Sequence, residues 1–338
     1  MQSFCVTLKP LSAFATPLKG DTLFGQLCWA IRNRLSDSKL INCLEGYNHN
    51  RPFAVVSDAF PESFLPLPKL PSCFYQHPEG EDRKAVKKLA WLPEVELQKP
   101  LNEWLRHAVN SSTIASSISN KSFEATHSGT TPSSRVQATS LSEKHPHSHN
   151  TINRQTNTTG EGGFAPYSVE QEWFIPGLRW TVYVLLDTGL LNMADFQQCL
   201  KDIGNFGFGK DASIGLGKFE VVDFQEKPLP AQANANACLT LAPCAPQGQG
   251  FDSNHSYYQL FTRFGRHGDV AVHQEGKPFK NPVLLAQTAA VIYMTPEKNS
   301  FIGQGIGGNG ELSKTLAATV HQGYAPVIAI NFNPKVPA

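Results

Sequence analysis

Two glycine-rich segments contain the residue types most able to do chemistry in this sequence. The first reads Gly-Asn-Phe-Gly-Phe-Gly-Lys-Asp over residues 204–211 and nearly matches the triphosphate-binding loop G-x-x-x-x-G-K-[ST]. Asp211 stands where a magnesium-binding hydroxyl is required, and the segment follows a predicted helix and precedes a predicted strand, the reverse of the required order. These departures argue against a nucleotide-hydrolysing site.

The second segment, residues 303–308, reads Gly-Gln-Gly-Ile-Gly-Gly and matches the dinucleotide fingerprint G-x-G-x-x-G. That fingerprint needs an acidic residue about 20 positions later, and no Asp or Glu follows Glu311. The sequence therefore predicts no nicotinamide cofactor, and no other cofactor is indicated.

Both segments are suited to a sugar-phosphate chain, because backbone without side chains can be approached closely and lysines lie beside it. Lys210 and Lys218 flank the first segment, and Lys298 and Lys314 flank the second. The alternative is that these glycines only permit tight turns between packed strands.

A polar segment and a histidine run lie close together upstream. Residues 150–156 read Asn-Thr-Ile-Asn-Arg-Gln-Thr, and amide and guanidinium groups read base edges and bind phosphate. The alternative is a polar surface hairpin. His145, His147 and His149 lack cysteine or clustered carboxylate partners, so no metal site is predicted. No catalytic motif such as G-x-S-x-G occurs, and we expect no enzyme.

The composition bounds the class of protein. A chain of 338 residues with 41% hydrophobic side chains can bury a sizeable core. Lys and Arg number 29 against 28 Asp and Glu, so any RNA site must be local. Seven cysteines without a C-x-x-C pair predict reduced thiols. The apolar stretches are too short to cross a bilayer and no secretory signal is apparent, so we expect a cytoplasmic protein without membrane or small-molecule partners.

Hydrophobic periodicity predicts the elements that position these segments. A strand over residues 4–9 leads to a helix capped by Asp21 or Thr22, and a second strand follows at residues 53–57. The order strand, helix, strand then recurs downstream of residue 172.

In this second unit, the stretch 172–187 is a predicted strand, and Asn192 caps a helix that Gly204 ends. A loop over residues 207–217 and a strand follow. Two such units form the β-α-β-β-α-β arrangement of a ferredoxin-like domain, whose sheet leaves one face free for RNA.

The rest of the chain divides into an insertion, a linker and a second domain. Residues 110–160 are rich in Ser and Thr, which predicts a partly disordered excursion. Residues 228–250 are typical of a linker. Strands are predicted near residues 238–241, 283–294 and 326–332, with a glycine-rich loop at 303–310.

Four segments, in this order and spacing, resemble the RAMP superfamily of CRISPR proteins. Within it they resemble the Cas-five-like group that includes the fourth subunit of the Csm (type III-A) effector complex. The segments cover residues 8–25, 150–164, 207–219 and 278–327, with Leu-Lys-Pro-Leu, Gly-Lys-Asp-Ala-Ser, Gly-Leu-Gly-Lys-Phe and Pro-Phe-Lys-Asn-Pro-Val among their motifs.

The resemblance implies an α+β fold with two ferredoxin-like (RRM-like) domains. The first would span residues 1–227, with a long, partly disordered insertion at about 60–165, and the second residues 228–338. It also implies a cleft for the 5′ repeat-derived tag of the crRNA, contacts with the large polymerase-like Cas subunit and the backbone RAMP subunit, and no nuclease activity.

We expect lysines, amides and glycine backbone from these segments to line the cleft, with cations on phosphates and Phe279 stacking on a base. The candidate RNA-binding residues are Lys19, Gly20, Asp21, Asn150, Arg154, Gly207, Gly209, Lys210, Gly215, Gly217, Lys218, Phe279, Lys280, Gly303, Gly305, Gly307 and Gly308. The alternatives are a RAMP endoribonuclease that processes precursor crRNA with a histidine as general acid or base, and a scaffold that touches only protein.

Overall fold

The computed structural model describes residues 1–77, 80, 82–126, 138–272, 278–294 and 300–335. The helices of the described chain are α1 (Gly20–Arg34), α2 (Asp37–Leu44), α3 (Arg83–Val86), α4 (Trp104–His107), α5 (Ser111–Thr126) and α6 (Met193–Phe206). No helix of the described residues is long and apolar enough to span a membrane.

Fifteen strands accompany the helices in the described residues. They are β1 (Gln2–Pro10), β2 (Ala54–Pro61), β3 (Phe64–Pro66), β4 (Trp91–Pro93), β5 (Ser142–His149), β6 (Tyr167–Phe174), β7 (Trp180–Leu186), β8 (Phe219–Glu226), β9 (Ala237–Thr240), β10 (Asp252–Tyr257), β11 (Leu260–Arg263), β12 (Val283–Ala286), β13 (Val291–Tyr293), β14 (Phe301–Gly307) and β15 (Val320–Ile330). All strand pairs are antiparallel.

The first sheet has the order β2-β7-β1-β8, with α1 joining β1 to β2 and α6 joining β7 to β8. This is the predicted β-α-β-β-α-β arrangement. The helices cover one face, where Val6 and Val182 pack in one core cluster with Leu27 and Ile203. Alternation of apolar residues along β1 and their recurrence every three or four positions along the helices produce this core.

The start of α1 and the end of α6 differ from the prediction. α1 begins at Gly20, so neither Asp21 nor Thr22 is its cap, and the Lys19 side chain makes no capping bond either. The Gly20 N–H instead donates to Asp58 Oδ1 of β2 at 2.8 Å. α6 is capped by Asn192, as predicted, but runs through Gly204 to Phe206, and Gly204 packs closely against Phe219.

The opposite face of the first sheet is not free, which corrects a second expectation. Tyr183 of β7 is buried in one cluster with Leu239 of β9 and with Leu65 and Trp104 of the insertion. The insertion is therefore a packed element that holds the two sheets together. Any RNA must bind at the edges and loops of this assembly.

The second sheet has the order β10-β13-β9-β15-β14. Its described part, between residues 228 and 335, contains no α-helix, so a second ferredoxin-like domain is not confirmed. Only part of the predicted linker at 228–250 is a linker, because residues 237–246 are buried and β9 lies at the centre of this sheet. The predicted glycine-rich loop at 303–310 is largely the strand β14, and the long predicted strand 283–294 is divided into β12 and β13.

The serine-rich and threonine-rich insertion is more regular than its composition suggests. It contains α5, and β5 pairs with β6 as a two-stranded ribbon. The stretch predicted as one strand from residue 172 therefore contains the end of β6 and all of β7. Residues 127–137 of the predicted disordered tract lie outside the described residues. The predicted domain boundaries at 227 and 228 stay a prediction.

Candidate nucleic-acid interface

The first glycine-rich segment forms a compact loop between α6 and β8. Gly207, Gly209, Gly215 and Gly217 all have positive φ, between +73° and +106°, which side-chain-bearing residues rarely adopt. The loop closes on itself through the Phe208 N–H, which donates to the Gly217 carbonyl at 2.9 Å. The sequence prediction of a loop at residues 207–217 is confirmed.

The segment that follows β1 holds this loop in place. The Gly217 N–H donates to the Ala13 carbonyl at 2.8 Å, the Lys210 N–H donates to Thr16 Oγ1 at 2.9 Å, and the Lys218 N–H donates to Ser12 Oγ at 2.9 Å. A Cβ on Gly209 would lie 2.5 Å from the Thr16 Cβ, so only glycine permits this approach. Residues about 200 positions apart in the sequence thereby form one surface.

The lysines of the loop point to solvent. Lys210 and Lys218 are exposed, and among the described residues their ammonium groups form no ion pair. Phe206, 78% exposed, and Ile214 lie beside them. Free cations next to exposed apolar side chains can hold phosphates and contact bases.

A cavity of about 330 Å³ adjoins the loop. Its wall includes Thr16 and Lys19 from the segment after β1, Phe174 of β6, and Lys69 and Trp91 of the insertion. Lys69 and Trp91 were not among the predicted site residues. No local pattern distinguishes them, because only the folding of the insertion against the first sheet brings them here.

Two buried carboxylates fix the start of α1 at the edge of this cavity. Asp58 accepts hydrogen bonds from Lys19 Nζ at 2.6 Å and from Thr288 Oγ1 at 2.6 Å. Lys19 keeps 32% of its side chain exposed and lines the cavity. Gly20 is buried, because its backbone approaches the Val56 carbonyl so closely that a Cβ would lie 2.2 Å from that oxygen.

Asp21 faces the protein interior. Arg263 Nε and Nη2 donate to its carboxylate at 2.6 and 2.8 Å, and His321 Nε2 lies 3.4 Å away. Burial raises the pKa of this carboxyl, but the hydrogen bonds and charges of His321 and Arg263 outweigh burial and hold the pKa well below its usual range. The predicted RNA contacts of Gly20 and Asp21 are untested, and both residues are committed to internal packing.

The second glycine-rich segment is packed rather than open. A Cβ on Gly303 would lie 2.1 Å from the Gly323 carbonyl oxygen, and one on Gly305 would lie 2.6 Å from that of Tyr47. On Gly307 it would meet the Thr319 carbonyl oxygen at 2.5 Å, and on Gly308 the Asn48 Nδ2 at 2.5 Å. These glycines permit close packing of β14, which favours the structural alternative over an RNA loop. Lys298 lies outside the described residues.

Phe279 and Lys280 lie on another surface. Phe279 is 63% exposed, and the Arg266 guanidinium carbon lies 5.9 Å from its ring centroid. The Lys280 stem packs on Gly265, and burial lowers the pKa of its ammonium group. Neither residue lines the cavity.

Asn150 and Arg154 lie in the connection between β5 and β6, and both are exposed. The base of this ribbon is joined to the cavity wall, because Phe14 and Glu172 exchange backbone hydrogen bonds. His145, His147 and His149 share one face of the ribbon with Tyr167. Among the described residues no group of three or more ligands suited to a metal occurs.

Among the comparisons with known proteins, the one with solved structures identifies a fold. No family model and no curated protein matches this sequence. A chain of the Csm3–Csm4 subcomplex in the type III-A CRISPR-Cas interference complex is similar in structure, with a TM-score of 0.59 and 14% identity over 98% of this chain and 100% of that chain. A chain of the Csm1–Csm4 cassette in complex with pppApA has a TM-score of 0.56 and 15% identity over 98% and 99%.

Csm4 is the component that these two complexes share. The protein therefore has, over nearly its whole length, the fold of Csm4. The similarity to the fourth Csm subunit that the sequence motifs indicated is confirmed at the level of the fold.

Proposed function

We propose that this chain is a non-catalytic crRNA-binding subunit of a type III-A (Csm) CRISPR effector complex in antiviral defence. It would hold the 5′ repeat-derived tag of the crRNA and dock the large polymerase-like Cas subunit and the backbone RAMP subunit. The observation that carries the proposal is the exposed, lysine-flanked loop at 207–217, held by Thr16 at the rim of a cavity. The fold shared with Csm4 supports it.

The charges of this surface suggest how a strand would lie. Lys210 and Lys218 are free to neutralise phosphates outside the cavity. The charges that line the cavity are balanced, with Lys19 and Lys69 against Asp58 and Glu172, and Lys19 is paired with Asp58. The free cations of the loop attract phosphate more strongly than this balanced interior does, so the backbone of the strand would follow the loop and the rim. An uncharged base could enter the cavity and contact Trp91 or Phe174.

Crosslinking in the assembled complex tests the proposal. The chain is co-expressed with its partner subunits and a CRISPR array, and the purified complex is irradiated with ultraviolet light. Tag nucleotides should crosslink to peptides from residues 11–19 or 207–218. A complex that assembles and retains its guide, but gives no crosslink between this chain and the tag, would support the scaffold alternative instead.

The nuclease alternative has its own test. The half-buried His255 lies 2.6 Å from Asp252 through Nδ1, a pair that could act as a general acid or base. Incubation of the purified chain with labelled repeat RNA should leave the RNA intact. Site-specific cleavage that disappears in His255→Ala would show that the chain is an enzyme.

A further inference from the structure

A second cavity, of about 590 Å³, lies between the insertion and β10. One wall comes from the segment between Leu67 and Tyr75 and from residues around α3, and the other from residues 253–259. The functional proposal above does not use it.

The charge of this cavity is one-sided. Lys69, His77 and Lys87 line it, and no carboxylate is among its described lining residues. Lys69 and Lys87 are exposed and take part in no ion pair within the described chain. A site with cations and without acidic residues attracts an anion.

The surroundings of α3 strengthen this field. Arg83, Lys84 and Lys88 are also exposed and form no ion pair among the described residues. Asp82 precedes them and is exposed, and Glu79 and Glu81 lie outside the described residues. Residues 83–88 thus carry four cations and no acidic residue, directly after the three acidic residues at 79, 81 and 82.

The second wall offers a ring and an amide. Tyr258 is 39% exposed, whereas its neighbour Tyr257 is packed against Phe74 and Phe332. The Gln259 side chain makes no hydrogen bond within the described chain, although its backbone carbonyl accepts one from the Gln287 N–H. A free phenol ring can stack on a base, and a free amide can read a base edge.

Lys69 connects the two cavities. It lines both of them, and its backbone N–H is fixed by the Ala289 carbonyl at 3.0 Å. The first cavity is bounded by Thr16, which holds the glycine-rich loop. Lys69 therefore belongs to both cavities, and Thr16, which accepts a hydrogen bond from the Lys210 N–H, lies on the wall of the first.

We propose that the second cavity binds a nucleotide of single-stranded RNA, on a strand that continues from the glycine-rich loop. Lys69 and Lys87 contact its phosphates, Tyr258 stacks on its base and Gln259 contacts the base edge. The inference rests on the proposed function in one respect, because it assumes that the strand at the first site is RNA.

Binding of a labelled short single-stranded RNA to the full chain, measured by fluorescence anisotropy at several salt concentrations, tests this. Lys87→Ala should reduce the slope of log affinity against log salt by about 0.7, the loss of one phosphate contact. Tyr258→Ala should weaken binding at least about five-fold with little change in slope. Lys314→Ala, an exposed lysine outside both cavities, is the matched control and should match wild type.

A parallel Lys210→Ala variant separates this inference from the proposed function. If Lys210→Ala lowers the slope but Lys87→Ala and Tyr258→Ala behave as the control, the second site is wrong and the first stands. If only the Lys87 and Tyr258 variants lose affinity, the first site is wrong. Adenosine monophosphate binding that Tyr258→Ala abolishes, without any effect of Tyr258→Ala on RNA, would overturn the assignment to a strand.

Discussion

The two glycine-rich regions are alike in sequence and opposite in structure. The loop at 207–217 joins a helix to an edge strand and exposes Lys210 and Lys218. The run at 303–308 lies mostly in β14, where Gly303 packs on Gly323 and Gly305 on Tyr47. The same residue type thus permits a surface loop in one place and close strand packing in the other.

The difference shows that a glycine-lysine pattern does not by itself define a phosphate-binding site. What matters is whether the space above the glycine backbone is open. A Cβ on Gly215 would meet nothing within 4 Å, whereas a Cβ on Gly303 would meet a carbonyl oxygen. Gly207, Gly209 and Gly217 are packed as closely as Gly303, so the open part of the first region is its tip at Gly215, beside the exposed lysines. RNA binding should therefore depend on the exposed tip and lysines of the first region, whereas the second region should contribute to stability alone.

The largest effect is expected at Gly303. Gly303→Ala should lower the free energy of unfolding by about 3 kcal/mol or more, because it combines overpacking against Gly323 with a positive φ of +99°. Urea denaturation measures this. Gly25→Ala is the control, since Gly25 lies in α1 with open space around it and should stabilise by about 0.5 to 1 kcal/mol. Near-native stability of Gly303→Ala would contradict the packed assignment.

The next largest effect is expected from acid, which should lower the stability that Asp21 contributes next to β14. Asp21 is held by Arg263 and by His321 of β15, the strand that pairs with β14. Because folding lowers the pKa of Asp21, its stabilisation is complete above the unfolded pKa of about 3.9 and is lost as the pH falls through the lower folded pKa. The loss approaches about 1.4 kcal/mol for each unit by which folding lowers the pKa.

Urea unfolding of wild type and Asp21→Asn at pH 7 and below pH 4 checks this. The variant should be less stable at pH 7, and its difference from wild type should shrink in acid. Asp223→Asn, at an exposed position of β8, should change stability at pH 7 by less than about 0.5 kcal/mol. A difference for Asp21→Asn that stays constant down to the acid transition would mean that the ion pair does not contribute as described.

The salt dependence of RNA binding tests the other region of the comparison, the exposed loop at 207–217. Removing both loop lysines, Lys210→Ala with Lys218→Ala, should lower the slope of log affinity against log salt by about 1.4, at about 0.7 for each phosphate contact. Anisotropy titrations of the full chain with single-stranded RNA measure the slope. Lys314→Ala, on the connection that follows β14, is the control and should leave it unchanged. Equal losses in the two variants would erase the distinction between the regions.

The smallest effect is expected at Gly215. Gly215→Ala adds a methyl group into open space, so its cost is only the strain of a φ of +98°, about 1 kcal/mol. As long as the loop keeps its shape, RNA affinity should change less than about three-fold. A destabilisation as large as that of Gly303→Ala would show that the tip of the loop at Gly215 is as tightly packed as Gly303.

Part of the fold could be predicted from local pattern. The alternation of Phe4, Val6 and Leu8 identified β1, and the cap at Asn192 identified α6, because both signals arise within a few residues. The insertion was harder. Its serines and threonines predicted disorder, yet other parts of it, such as Trp104, are buried against the second sheet.

The candidate site could be predicted only in part for the same reason. Lys210 and Lys218 were found because they adjoin glycines in the sequence. Lys69 and Trp91 were not, because the cavity that they line forms only when the insertion folds over the first sheet. Asp21 looked available for RNA until the fold paired it with Arg263, 242 positions away.

The sequence by itself determined the α+β elements of the first half, their order and the two lysine-flanked glycine segments, since periodicity, caps and turn residues act locally. Only the tertiary structure decided which glycine segment is exposed, where the cavities lie and which charges are paired internally. Those properties depend on contacts between residues about 200 positions apart, and no short-range pattern specifies them.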